Sequence, residues 1–449
     1  MNIREEHRMK NIADIGNGKR NQMLEEDSAI HNWYQFILGY PPHLVKYYLN
    51  EFNIQQGDIV LDPFCGTGTT LVECLKNNIK SIGIEPNPIA CFASRVKITI
   101  TLDPNELRNY LGFILNSSKL SFKHLGIKDD YFIVDEPKTK KHIVLIKSIP
   151  GLNEEKWKVV PTGFISKKPL VKVLIIKEVI NQIEDTRIKD FFKLSLANLI
   201  VKRAGNIAFG PEIGRTAPKE DIEALNYYFS QSNRMIADLE KFKHNDTKAM
   251  IINGDSRNLD HYLDNKLLGK INFIITSPPY PNEKDYTRST RLESVILDFI
   301  NSKDDVREVK TNLLRSNSRT IYVTDTDGEC IKGFDRICKI ADEIEKKRLQ
   351  LKKNSGFEKL YHKIVRHYFG GMYLHLKSLK PYLAKNAKLA YVVGDQMSFF
   401  RVYIPTAELL AEVAESLGYR LVKIELWRTR LATVTKQQIN ENVLVLENL

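Results

Sequence analysis

Short apolar runs bounded by turn residues alternate with longer stretches whose apolar positions recur at helical spacing. Five runs, Asp58 to Asp62, KSIGIE over 80–85, AMIINGD over 249–255, Ile271 to Thr276 and KLAYVVGDQ over 388–396, have the apolar density of strands buried on both faces. A last pair, YRLVKIELW over 419–427 and NVLVLEN over 442–448, has no helical segment between its members, which brings the expected strands to seven. Leu44, Val45, Tyr48 and Phe52 fall at helical spacing behind Pro41 and Pro42, and helical patterns also cover Thr69 to Asn77 and Thr406 to Leu417. Strands alternating with helices predict an α/β architecture with helices on both faces of a mostly parallel sheet.

The alternation is interrupted twice. Between the second and third expected strands, 101–249 reads as a mainly helical insertion. A Lys-rich, β-leaning piece from Tyr131 to Ile149 leads to helical patterns over Lys168 to Glu184, Ile188 to Arg203 and Ile222 to Phe242. The loop GNIAFGPEIGRTAPKED lies between the last two, and its GPEIGR part at 210–215 either enters a nucleic-acid groove or, the favoured reading, simply connects helices. A second, basic helical stretch covers 288–383. The sheet-bearing core domain is therefore expected over 30–100 and 250–449, with 1–29, polar and without hydrophobic period, as a mobile arm.

Length, 449 residues, asks for more than one simple compact unit, and 43% hydrophobic with 27% charged residues is the balance of a soluble globular protein. No apolar run is long enough for a membrane span, and the start lacks an apolar export core, so a cytoplasmic protein is expected. A net charge of +12 favours a polyanionic partner. The five cysteines form no CxxC pair and no His cluster accompanies them, which predicts reduced thiols and no metal. Cys65 reads as a packing residue, since no base is evident near it in sequence.

Chemistry concentrates at the ends of strands. LDPFCGTGTT at 61–70 places Gly66 and Gly68 directly after the first strand, where absent side chains let a ligand approach the backbone, framed by Asp62 and Thr67. Glu85 ends the second strand 19 residues past Gly66, the spacing at which a carboxylate reaches a ribose diol in dinucleotide folds, and Asp255 ends the third. No GK[ST] follows and no third glycine completes a dinucleotide fingerprint. TSPPY at 276–280 emerges from the fourth strand. In open α/β sheets both loops would lie at the ligand-binding edge.

Together these motifs resemble the S-adenosylmethionine-dependent DNA amino-methyltransferases. The Ser of TSPPY is similar to the cytosine-N4 subgroup, whereas the adenine-N6 subgroup usually has Asp or Asn there. The resemblance covers roughly 31–100 and 250–449 and implies a Rossmann-like seven-stranded methyltransferase sheet with one late antiparallel strand. It implies S-adenosylmethionine held by Asp62, Phe64, Gly66, Thr67, Gly68, Glu85, Asp255 and Ser256, with Asp255 near the adenine amine. Ser277 and the Pro278 carbonyl would accept the target amine's hydrogens, Pro279 would stiffen the turn, and Tyr280 would stack on a base flipped out of duplex DNA. Arg288, Arg291, Arg307, Lys310, Arg315 and Arg319, scattered among Ser and Asn after TSPPY, are candidate DNA contacts. Asp395 and Gln396 suit either base recognition or a structural turn. EKKRLQLKK at 345–353 reads as a solvated helix face.

The cofactor motif precedes TSPPY, the reverse of the order most common among cytosine-N4 enzymes. Either 101–249 or 288–383 could therefore carry target recognition. The expectation is a site-specific cytosine-N4 DNA methyltransferase of a restriction-modification system, with a cognate restriction endonuclease. The alternatives are adenine-N6 methylation, RNA base amino-methylation and a non-catalytic nucleic-acid-binding subunit.

Overall fold

The computed structural model describes residues 22–35, 39–131, 136–209, 213–242, 247–282, 284–431 and 437–449. The chain opens with α1 (Pro42–Glu51), β1 (Ile59–Asp62), α2 (Thr69–Lys76), β2 (Lys80–Ile84) and α3 (Pro88–Ile98). The segment that follows carries α4 (Pro104–His124), α5 (Glu154–Val159), α6 (Lys167–Asn181), α7 (Thr186–Leu199), the short strands β3 (Ile207–Phe209) and β4 (Ile213–Arg215), and α8 (Ala224–Lys241). Then come β5 (Ala249–Ile252), β6 (Ile271–Thr276), α9 (Tyr286–Ser289), α10 (Arg291–Ile296), α11 (Lys303–Thr311), α12 (Asp335–Gln350) and α13 (Tyr361–Leu379). The chain closes with β7 (Leu383–Gly394), α14 (Thr406–Ser416), β8 (Tyr419–Leu431) and β9 (Gln438–Asn448).

Seven strands form one sheet in the order β5-β2-β1-β6-β7-β9-β8. The pairs from β5 to β7 are parallel, and β9 runs antiparallel to both its neighbours. This is the Rossmann-like sheet implied by the sequence, with its single late antiparallel strand. From β1 the chain builds outward on one side through β2 and β5, then returns to lay β6 against the other side of β1. The order reverses between β1 and β6, where Leu61 sits opposite Ile274, and such a switch point opens a crevice at the carboxyl ends of the strands.

Strand alternation assigns two cores. Leu61, Ile274, Leu389, Tyr391, Val393, Leu444 and Leu446 pack with buried residues of α13 and α14. The intervening Val60, Ile275, Ala390, Val392, Val443 and Val445 pack with Leu44, Val45, Tyr48 and Leu49 of α1. The 101–249 segment adds a third cluster, which is continuous with the sheet's helices: Val72 and Leu75 of α2 and Phe92 and Val96 of α3 share it with Phe113, Ile175, Phe191 and Tyr228.

Several expectations change. Tyr131 to Ile149 forms no strand among its described residues. Instead its backbone donors are met by side chains of α4: Lys140 N donates to Asn109 Oδ1 at 2.8 Å, Val144 N to Ser117 Oγ at 3.1 Å and Ile146 N to Ser121 Oγ at 3.0 Å. Gly112 permits this approach, since a Cβ there would lie 2.4 Å from the Pro137 carbonyl. The loop at 205–221 contains the β3–β4 hairpin, with Ile207 opposite Arg215; residues 210–212 of its GPEIGR part lie outside the described residues. Within 288–383 the helices are separated by an irregular span around 312–334, and α13 is a core helix, burying Ile364, Val365, Tyr368, Phe369 and Met372. Of the arm expected to be mobile, 1–21 lies outside the described residues. In the remainder Asp27 is buried and paired to Lys46, while Gln22, Glu25 and Glu26 are exposed. Among the described residues no helix is long and apolar enough to cross a membrane.

Candidate active site

The turn after β1 is shaped by its glycines. Gly66 (φ 51°) and Gly68 (φ 84°) both take left-handed backbone, which glycine adopts without a Cβ penalty, and α2 starts directly behind them. A Cβ on Gly68 would also lie 2.7 Å from Ser94 Oγ. Cys65 is buried beside this turn, and burial pushes its thiol well above the ordinary range, so it is a packing residue without thiolate character.

Asp62, fully buried at the end of β1, ties the two loops together. Its Oδ1 accepts from Thr276 Oγ1 at 2.6 Å and from Phe64 N at 3.2 Å, while Oδ2 accepts from the Tyr40 hydroxyl at 2.6 Å. Thr276 immediately precedes Ser277, so one carboxylate links the glycine turn with the SPPY turn. Burial still raises the Asp62 carboxyl above its ordinary value, against the pull of these donors.

Glu85 lies at the next strand end. Its Oε2 accepts from Gly66 N at 2.9 Å and its Oε1 from Asn87 N at 2.8 Å, and burial pushes its carboxyl up to about 7. No cation pairs with it among the described residues, and each oxygen keeps a lone pair for a further donor. Asp255, expected near an adenine amine, is engaged by a neighbouring guanidinium. Arg257 forks it, with Nε 3.0 Å from each oxygen and Nη2 2.6 Å from Oδ2, and also reaches Asp327 Oδ2 at 2.6 Å. The Ser256 hydroxyl donates to the Pro63 carbonyl, and its own carbonyl accepts from His375 Nδ1 at 2.9 Å. Burial lowers His375 to about 4, so the ring is neutral; its Nε2 then accepts from the Tyr391 hydroxyl at 2.7 Å.

In the SPPY turn, Ser277 donates its hydroxyl to the Val392 carbonyl at 3.2 Å, which leaves its oxygen's lone pairs unspent. Tyr280 anchors its hydroxyl on Glu441 Oε1 at 2.6 Å, and its ring lies against Gly394. Glu441 Oε2 is held by Arg428 Nε. The register explains the cluster, because Glu441 on β9 pairs with Gly394 on one side and with Arg428 on the other. A single cavity of about 310 Å³ is lined by Phe64, Gly66, Thr67, Glu85, Asp255, Ser256 and the whole Ser277–Tyr280 turn. Two loops more than 200 residues apart in sequence thus share one crevice at the switch point.

A ligand carrying a ribose diol and a cationic centre suits this crevice. The diol supplies O–H donors to a buried carboxylate that has no cation of its own, and the left-handed glycines clear the approach. Phe64, Gly66, Thr67, Glu85 and Ser256 would hold S-adenosylmethionine, the methyl donor implied by the sequence; Asp255 would reach an adenine amine only while shared with Arg257.

The six basic residues expected to contact DNA divide by burial. Arg315 is internal, 4% exposed: it forks Asp325 at 2.9 and 2.7 Å and donates to the Thr311 carbonyl at 3.0 Å, so its guanidinium is committed within the protein. Lys310 pairs with Asp285 at 3.0 Å, and Arg291 donates to Thr287 Oγ1 at 2.8 Å. Arg288 is half-buried on α9. Arg307 is exposed beside the Tyr322 ring, and Arg319 lies over Phe357. Asp395 and Gln396 form a structural turn: Asp395 accepts from Tyr403 at 2.6 Å and caps α14 through Thr406 N at 3.0 Å, while Gln396 bonds the Gly394 carbonyl at 3.0 Å. Among the described residues no group of His, Cys, Asp and Glu could hold a metal.

Tyr40, Arg257, His375, Arg428, Arg430 and Glu441 were not singled out from sequence. Tyr40 stands just before the Pro41-Pro42 turn, a local cue to its place. Glu441 and the two arginines become visible only once β9 is paired with β7 and β8.

A family model described as DNA methylase matches residues 13–94. Over 92% of this chain and 83% of its own length, the Type II methyltransferase M.BsoBI of Geobacillus stearothermophilus is 23% identical. The Type II methyltransferase M.AvaI of Nostoc sp. is 22% identical over 88% of this chain and 80% of its own. The Type II methyltransferase M.MjaII of Methanocaldococcus jannaschii is 26% identical over 58% of this chain, and the chain spans 61% of that relative's length.

Proposed function

We propose that this chain, which falls in the class of DNA amino-methyltransferases, methylates the exocyclic N4 amine of cytosine in duplex DNA as the modification enzyme of a restriction-modification system. The observation that carries the reading is the Ser277 hydroxyl: it donates to the Val392 carbonyl, and its unspent lone pairs lie in the same cavity as the glycine turn and Glu85.

An aromatic amine is a weak nucleophile because its lone pair is conjugated with the ring. Ser277 Oγ and the Pro278 carbonyl, both acceptors, draw the two amine hydrogens out of the ring plane and restore lone-pair character on nitrogen. Proline suits the turn, since it offers an acceptor without a competing donor. S-adenosylmethionine, when bound, supplies a methyl group activated by its sulfonium. Ser277 is too weak a base to deprotonate a neutral amine beforehand, so the amine attacks directly and its proton leaves afterwards, to Ser277 Oγ or water. Tyr280, fixed by Glu441, offers a ring face to the base, which must leave the duplex stack to enter the cavity. The net charge of +12 and the exposed Arg307 support an electrostatic approach to DNA.

Expression alongside plasmid DNA, followed by digestion to nucleosides and mass spectrometry, tests the reading. N4-methylcytosine is the expected product; N6-methyladenine in its place would overturn the cytosine assignment, and unmodified DNA from a cofactor-binding protein would favour a non-catalytic subunit.

A further inference from the structure

Arg430, near the end of β8, lines the cavity together with Tyr280, Tyr286 and Glu441. A guanidinium has five N–H donors, and among the described residues this one spends a single donor, Nη2 to the Asp395 carbonyl at 2.8 Å. Its Nε–H is occluded and has no partner among the described residues. Nor, among the described residues, does a carboxylate hydrogen-bond it. Each oxygen of Glu441 already accepts one bond, from the Tyr280 hydroxyl and from Arg428, and Glu441 acts on Arg430 through its nearby charge. A desolvated cation with spare donors is costly to maintain, and such groups in native proteins usually have an acceptor to meet.

Resting on the cytosine reading above, we propose that Arg430 is the residue that recognises the ring of the flipped base, donating to the N3 and O2 acceptors of cytosine. The chemistry of the base edge carries the choice. With the N4 amine held by Ser277, the next positions along the same edge of cytosine are two adjacent acceptors, N3 and O2, which suit a planar fork of donors. Adenine offers one acceptor, N1, and then a C–H, so part of the fork would stay unpaired. The Arg428–Glu441–Tyr280 chain holds the stacking ring, and the Asp395 carbonyl fixes the guanidinium. Discrimination between the bases thus comes from the β8–β9 hairpin as well as from the serine.

The nucleoside digest first identifies the methylated base, and sequencing of the modified plasmid maps its site. Duplexes containing that site with cytosine or 3-deazacytosine, which lacks the N3 acceptor, are then given to the wild-type and Arg430→Met proteins. We expect Arg430→Met to slow methylation of cytosine on the order of 10- to 100-fold, the worth of hydrogen bonds from a charged donor. The wild type should lose a comparable factor on 3-deazacytosine, and the two changes together should cost little more than either alone. Calorimetric affinity for S-adenosylmethionine should stay unchanged. Fully additive losses would overturn the assignment, as would weakened cofactor binding, which would place Arg430 on the cofactor, or a reduced salt dependence of DNA binding, which would place it on a phosphate. Should Arg430→Met fail to fold, Arg430→Lys, which keeps the charge but not the fork, goes through the same cycle with the same expectation. Methyladenine in the digest would remove the cytosine reading by itself; the Arg430 contact would then be tested with 1-deazaadenine.

Discussion

A single methyl group at Gly394 should separate catalysis from folding. A Cβ built on this residue lies 2.9 Å from Tyr280 Cε2 and 3.1 Å from Cδ2, whereas carbon atoms in ordinary contact stand about 3.5–4.0 Å apart. Roughly 0.5–1 Å must therefore be found. Gly394 cannot yield easily, since it pairs with Glu441 of β9 and its carbonyl accepts from Thr406 Oγ1 at 2.9 Å and from Gln396 Nε2 at 3.0 Å. The Tyr280 ring must move instead, pivoting on its hydroxyl, which Glu441 holds at 2.6 Å. A displacement near 1 Å of a group that positions a substrate costs about 10²-fold in rate, while overpacking of this kind costs about 1–3 kcal/mol in stability. Gly394→Ala is thus expected to fold, to bind S-adenosylmethionine with wild-type affinity, and to lose about two orders of magnitude in kcat for methyl incorporation into DNA. Adding Glu441→Gln, which weakens the pivot, should restore part of the loss. Full activity in Gly394→Ala would refute the claim that the ring's position matters.

Asp62→Asn replaces an oxygen that accepts a hydroxyl with an amide donor, against Tyr40 or Thr276; a loss of about 1–3 kcal/mol in denaturant unfolding is expected, with kcat falling as the Ser277 turn loosens, and unchanged kinetics would contradict the link between the loops. Burial pushes Glu85 and Glu293 each up to about 7, so the folded state holds these protons more tightly than the unfolded chain; their stabilising contribution is full below about 4.5 and is lost as pH rises through 7, and Glu293→Gln should flatten that part of the curve in thermal melts. Arg315→Met should cost about 3–5 kcal/mol in stability by stranding Asp325, whereas Arg307→Ala should leave the melting temperature alone and lower the salt dependence of DNA binding by about one phosphate contact. The opposite pattern would reassign both arginines.

The loops after β1 and β6 were legible because each follows a strand buried on both faces, whose apolar run is its own signature, and because the glycines and prolines mark turns by their backbone chemistry. Glu85 was legible for the same reason, as the polar residue that ends a strand. Arg315 misled because sequence reports a charge without its partner, and Asp325, ten residues on, is the carboxylate that takes the guanidinium inside. Tyr131 to Ile149 misled in another way. Among its described residues it pairs with no strand, because Asn109, Ser117 and Ser121 of α4 supply the acceptors that a neighbouring strand would have supplied.

The least legible part of the site is the β8–β9 hairpin, and the reason is the register. Glu441 acts at the SPPY turn because β9 enters the sheet between β7 and β8, which brings Gly394 and Arg428 opposite it. A slip of one residue would turn Glu441 to the other face of the sheet and present Asn442 in its place. What fixes the register is apolar: Val443 and Val445 must meet the α1 core and Leu444 and Leu446 the α13–α14 core. The hydrophobic alternation that builds the two cores therefore also aims the carboxylate that holds Tyr280. It follows that an exchange that disturbs packing at Val443, opposite the cavity-lining Val392, or at Leu444 should lower kcat more than it lowers cofactor affinity, because Glu85 and the glycine turn belong to the other half of the sheet.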